Sequence, residues 1–224
     1  MKEINFEFNG YSATVIIPDK PNGKWIWKTE FLHAFEDAEL ALFDKGYTRV
    51  TYKIHDMWGS PRAVRMMNKF HKFAVKEFNL SEKAILFGFS RGGTYAFNYA
   101  LFYPDFVEKV YLDAPVLDLG TLTGPGEHLL AQVYDEYSLT EETVKSFKGH
   151  PICNLREFFD AKIPLLLIAG GSDEVVPFDT NAKKLIEFCD ENGIEITSAV
   201  KPDCKHHPHS LEDISPIIDF IDAK

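Results

Sequence analysis

The stretch Gly88-Phe89-Ser90-Arg91-Gly92-Gly93 narrows what this chain can fold into more than any other. It lies between a short apolar run, Ala84-Ile85-Leu86-Phe87, and a helix-forming run from Thr94 to Leu101. A serine held on a sharp, strained turn from strand to helix needs neighbours with little or no side chain. Glycine two residues to either side meets that need. Ser90 is therefore a candidate nucleophile, the bland alternative being a structural serine in a glycine turn. The turn also sets Ser90 at the N-terminus of a helix. There the Arg91 amide points toward any oxyanion that forms on an attacked carbonyl, and the helix dipole assists.

The surrounding sequence supplies the sheet that such a turn requires. Two alternating segments, 4–8 and 11–17, flank Asn9-Gly10 and predict an antiparallel hairpin. Further strands are expected at 24–28, 48–54, 83–88, 107–112, 163–169 and 194–200. Helical spacing fills the gaps at 31–45, 61–78, 91–102, 178–192 and 210–222. Strands alternating with helices imply an α/β fold: a mostly parallel sheet, an antiparallel N-terminal hairpin at one edge, and helices on both faces. One domain spanning residues 1–224 is expected, since α/β folds of this length commonly form a single unit. Only 116–160 breaks the rhythm, a long excursion between the sixth and seventh strands that reads as an inserted lid or cap.

The balance of 34 acidic against 24 basic residues, a net charge of -10, disfavours nucleic acid and anionic membrane surfaces as partners. A small molecule, which meets only the local field of its pocket, is unaffected. The three cysteines, Cys153, Cys189 and Cys204, show no CxxC spacing, which argues against a disulfide framework or a structural zinc site. The N-terminus has no secretory apolar run, and nothing approaches the roughly 20 apolar residues of a membrane span. A cytoplasmic protein is the resulting expectation, with oligomeric state unread.

A serine needs a base, and histidine is matched to neutral pH. Of eight histidines, His33, His71, His128 and His150 fall in helical or inserted sequence, and His55 falls just past a strand end. The other three cluster in Cys204-Lys205-His206-His207-Pro208-His209, directly after the last strand. Such a trio can suggest a metal, but no cysteine or carboxylate pattern accompanies it, so no metal is expected. The base must be oriented by a carboxylate. Asp173, in Gly170-Gly171-Ser172-Asp173-Glu174, follows the most apolar strand, while Asp113 after the strand at 107–112 is its competitor. The order Ser90, Asp173, then His206 or His207 is the one a nucleophile elbow calls for. Asp56, Trp58, Lys28 and Arg91 lie near predicted strand ends, as does Glu30 in the turn after the third strand, and these residues are candidates for the pocket wall. No organic cofactor is implied, because the glycine-rich turn fits neither a GxGxxG nor a P-loop pattern.

These residues resemble the α/β-hydrolase superfamily along the whole chain, in particular a branch of prolyl-oligopeptidase-like and esterase-like bacterial hydrolases. The resemblance is carried by Gly23 to Phe31, Gly88 to Gly93, Leu112-Asp113-Ala114-Pro115, Asp173 to Pro177 and His206-His207-Pro208-His209-Ser210-Leu211. It implies His206 as the base by position, although Lys205 stands where the superfamily usually has glycine. It also implies a second oxyanion donor after the third strand, the backbone amide of Lys28 or, as alternative, Thr29. The expected activity is cleavage of a small acyl or sugar-type ester. Thioesterase, acyltransferase and small-peptidase chemistry of the same fold are alternatives, and a non-catalytic binding protein is a more distant one. A peptidase is less favoured, since these residues contain no propeller domain.

Overall fold

Asn9 and Gly10 both take left-handed backbone angles (φ 50° and 83°), and the chain reverses within two residues. This pairs β1 (Lys2–Phe8) antiparallel to β2 (Tyr11–Ile17). The computed structural model describes residues 1–223. Six further strands follow: β3 (Trp25–Lys28), β4 (Thr48–Tyr52), β5 (Ala84–Phe89), β6 (Val107–Asp113), β7 (Leu165–Gly170) and β8 (Thr197–Lys201). The sheet order is β1-β2-β4-β3-β5-β6-β7-β8, and every pairing from β4 onward is parallel. The hairpin joins through an antiparallel β2–β4 contact.

Burial divides along the pleat. Trp25, Trp27, Leu86, Val110, Leu112, Leu165 and Leu167 point to one face. There they pack on α2 (Pro61–Phe78), α3 (Arg91–Phe102), α6 (Leu155–Asp160) and α7 (Ala182–Asn192). Their neighbours Ile26, Ile85, Phe87, Tyr111, Leu166 and Ile168 point the other way, onto α1 (Asp37–Asp44) and α8 (Ser215–Asp222). A strand buried on both faces has no polar side to show, which is why β5 to β7 read as continuous apolar runs. Local signals agree with the packing at α2: Ser60 caps it by accepting from the Ala63 amide, Pro61 opens it, and left-handed Asn79 ends it.

The first helix departs from the expected 31–45. Phe31 and Phe35 stand at φ 59° and 51°, outside the helical region, so the chain turns through 29–36 and α1 starts only at Asp37. Both rings are partly exposed, and their helical spacing was coincidental. The helix expected at 178–192 begins with a 3₁₀ turn at Phe178–Thr180, and the strand expected from 194 starts at Thr197. The last helix, expected from 210, starts at Ser215.

The excursion after β6 contains α4 (Leu130–Tyr137) and α5 (Glu141–Val144) before α6. Its middle packs on Trp58, Val116 and Val176 as a third apolar cluster. Its end belongs to the sheet's own covering layer, because Phe158 of α6 stacks on Phe97 of α3 at 4.4 Å.

Candidate active site

Parallel strands bring their carboxyl ends to one edge, where ligands of open α/β sheets gather. Ser90 follows β5, Asp113 closes β6, Asp173 follows β7, and His206 follows β8. Ser90 has φ 50° and ψ -121°, a strained conformation for a residue with a side chain. Its backbone is pinned: its amide donates to Asp113 O at 2.9 Å, and its carbonyl accepts from the Gly93 and Val116 amides. The glycines are steric necessities. A Cβ on Gly88 would stand 2.7 Å from Ala96 Cβ, and one on Gly93 would stand 2.5 Å from Pro115 Cβ.

The structure brings Ser90, His206 and Asp173 together. His206 Nε2 lies 2.9 Å from Ser90 Oγ, and its Nδ1 lies 2.7 Å from Asp173 Oδ2. The other Asp173 oxygen accepts from the Val175 and Val176 amides at 2.8 and 2.9 Å, which fixes the carboxylate in its turn. His206 and Asp173 are 7% and 8% exposed, so this chain of bonds lies largely out of water. His207, the alternative base, is exposed and stacks on Phe35 at 5.6 Å. Its contacts are with neighbouring rings, not with Ser90. Asp113, the alternative acid, is bonded elsewhere: it accepts from His209 Nδ1, the Ser210 amide and the Tyr111 hydroxyl.

The predicted pocket residues gather round one guanidinium. Arg91 donates from Nε to Glu30 at 2.8 Å and from Nη1 to Asp56 at 2.9 Å, with its carbon 5.4 Å over the Trp58 ring. Of the two carboxylates only Asp56 faces solvent; Glu30 is 4% exposed. Trp58 is fully enclosed, and it backs Arg91 instead of lining an open wall: its indole N–H donates to Gln132 of the excursion, and its carbonyl accepts from the Tyr137 hydroxyl. His55 completes the group at 3.4 Å from Glu30, and that hydrogen bond raises the imidazole above its ordinary pKa. A cleft of about 390 Å³ opens beside it, lined by Glu30, Phe31 and His55 among others.

Of the two expected second oxyanion donors, the Thr29 amide is occupied by Phe87 O at 3.1 Å, and Lys28 closes β3 in register with Phe87 of β5. The next amide of that turn, Glu30 N, lies close to the serine turn, 3.4 Å from where a Gly92 Cβ would stand. Lys28 contributes an ammonium 1% exposed, paired with Glu39 and 3.7 Å over the Phe89 ring. Burial lowers its pKa, and Glu39 opposes that shift. Sequence reasoning missed Glu30 as a backbone candidate, along with Gln132, His209 and Tyr111; only His209 carried a signal, its place in the histidine cluster.

The sheet order, the strained serine turn and the helical layers define an α/β-hydrolase. A model of the prolyl oligopeptidase family matches residues 52–224, and the chain belongs to that family of serine hydrolases. No curated protein matches it in sequence. Among solved structures it is similar to a puromycin-hydrolyzing peptidase of Mycobacterium tuberculosis (11% identity, TM-score 0.73), with 99% of this chain and 38% of that one aligned. A carboxylesterase of Lactobacillus plantarum aligns at 15% identity and TM-score 0.66, over 92% of this chain and 85% of that one. An acylaminoacyl peptidase of Pyrococcus horikoshii gives 15% and 0.67, over 92% and 37%. The chain thus spans little more than a third of the two peptidases. At these identities the likeness concerns the fold. Among the described residues no helix is long and apolar enough to cross a membrane.

Proposed function

We propose that the chain hydrolyses a small carboxylic ester, with Ser90 as nucleophile, His206 as base and Asp173 as its orienting acid. The observation that carries the reading is the pair of contacts on one imidazole, 2.9 Å to Ser90 Oγ and 2.7 Å to Asp173 Oδ2. In the first step His206 Nε2 takes the hydroxyl proton while Oγ attacks the carbonyl carbon. Asp173 keeps the Nδ1 proton in place and stabilises the imidazolium. The oxyanion rests on the Arg91 amide, with Glu30 N as the second donor, and one such donor is worth about 3 kcal/mol. His206 then protonates the leaving alcohol, and a water deprotonated by the same nitrogen releases the acid.

The polar group of Arg91, Asp56, Glu30 and His55 beside Ser90 supports a polar acyl or sugar-type ester. Family membership supports a peptide bond as the second reading, since the prolyl oligopeptidase family contains peptidases. A panel of p-nitrophenyl esters, acyl thioesters and aminoacyl anilides separates the classes by kcat/KM. The ester arm is expected to lead. Ser90→Ala is expected to lower ester turnover by about 10⁴-fold or more and to abolish fluorophosphonate labelling. Full activity in a folded Ser90→Ala protein overturns the reading.

A further inference from the structure

We propose that the loop after β8 holds an inhibitory site for a divalent ion of the zinc kind, built from His206, His207 and His209. One ring nitrogen from each of the three lies within 4.8 Å of the other two, and the rings stand 4.8 to 5.0 Å apart, steeply tilted to one another. Zinc binds imidazole nitrogen at about 2.0–2.1 Å, so closure on an ion needs the rings to draw in by roughly an ångström. His207 is the exposed ring of the three, and its approach would exchange the stack on Phe35 for the ion.

Carboxylates stand behind two of the rings. His206 Nδ1 is 2.7 Å from Asp173 and His209 Nδ1 is 2.8 Å from Asp113, with both carboxylates buried. Each holds its proton on Nδ1 and leaves Nε2 as a bare donor, the arrangement in which metal-bound histidines are oriented and made more basic. The sequence shows no such pattern because Asp113 and Asp173 lie 60 residues apart. Imidazole nitrogen and a borderline-soft divalent ion are matched in kind, and the two carboxylates behind the rings supply balancing charge.

Binding and catalysis then compete for one lone pair. An ion on His206 Nε2 removes the acceptor that faces Ser90 Oγ, so Ser90 loses its base. The inhibition rests on the reading of His206 as base, whereas the coordination does not.

Calorimetric titration of the metal-stripped full chain with zinc chloride, run beside ester assays, tests both parts. We expect one zinc per chain, micromolar affinity, loss of turnover over the same zinc range, and recovery with EDTA. His207→Gln is expected to weaken binding by about tenfold or more, and to shift inhibition equally, scaled to the variant's own zinc-free rate. Ser90→Ala is expected to bind zinc at least as tightly as the unaltered protein, because the serine no longer competes for Nε2. Absence of binding below millimolar zinc overturns the proposal, and so does unchanged affinity in His207→Gln. If the protein cleaves no ester yet binds zinc as described, the triad reading fails alone and the ion site stands.

Discussion

His209 Nδ1 sits 2.8 Å from Asp113 Oδ1, one strand away from the 2.7 Å contact between His206 Nδ1 and Asp173 Oδ2. Two imidazole–carboxylate pairs thus rise side by side from the ends of β6 and β7. One faces Ser90. The other ties down the far end of the loop that carries His206.

That anchor predicts the behaviour of Asp113→Asn. Tyr111 Oη, Ser210 N and His209 Nδ1 all converge on Asp113, which is 1% exposed. An amide oxygen kept on Tyr111 Oη and Ser210 N turns the NH₂ toward His209 Nδ1, which must then give its proton up to Nε2, and the bonds to a buried carboxylate become weaker neutral ones. Urea denaturation is expected to show a loss of about 1–3 kcal/mol. Turnover is expected to fall with it, because the His206 loop loosens. A loss under about 0.5 kcal/mol contradicts the anchor.

Asp173→Asn is expected to behave in the opposite way. The amide oxygen still accepts from Val175 N and Val176 N, so the turn survives. Its NH₂ faces His206 Nδ1 and forces the proton onto Nε2, the wrong nitrogen for drawing one from Ser90. Steady-state assays are expected to show kcat about 10⁴-fold lower, with urea stability changed by about 1 kcal/mol or less. Equal losses of stability and rate contradict this account.

Arg91→Ala removes the cation between two carboxylates. Glu30, whose side chain is 3% exposed, is left with only the 3.4 Å contact to His55. A destabilisation of about 3 kcal/mol is expected in thermal or urea unfolding. Arg91→Lys is expected to recover little, because an ammonium cannot place separate donors on Glu30 and Asp56 while stacking on Trp58. Recovery by lysine to the original stability rules out the forked geometry as the cause.

His71 predicts an acid-side loss of stability. The ring is 1% exposed among Trp25, Trp27, Tyr99 and Phe106, and burial lowers its pKa to about 4. Its Nε2 meets Glu82 O at 2.8 Å, and buried Nδ1 has no partner. With the folded pKa below the unfolded one, the unfolded chain takes up the proton first as pH falls. The contribution is complete above about pH 6.5 and declines toward pH 4, by about 2 kcal/mol between pH 7.5 and pH 5. His71→Gln keeps the bond to Glu82 and removes the titration, so urea curves at the two pH values are expected to converge for that variant. An unchanged difference contradicts the assignment.

The eight strands, their alternation with helices and the serine turn were legible in the sequence, because each rests on local physics. Apolar runs mark strands buried on both faces, Asn9-Gly10 marks a tight hairpin, and Gly88 and Gly92 mark a turn that side chains would obstruct. The order of serine, acid and histidine cluster, Ser90, Asp173 and then His206 or His207, was legible for the same reason, since parallel strands deliver their carboxyl ends to one edge. Phe31 and Phe35 misled, because helical spacing is blind to a left-handed turn set by packing. Partnership between distant residues was beyond local reading. Only the assembled sheet decided that His206 meets Ser90 while His207 stacks on Phe35, that Asp113 serves His209, and that the Thr29 amide belongs to Phe87. Those choices depend on which strand lies beside which and on the register between them. Ser90 received its place from a few neighbouring residues, and its partners came from the rest of the fold.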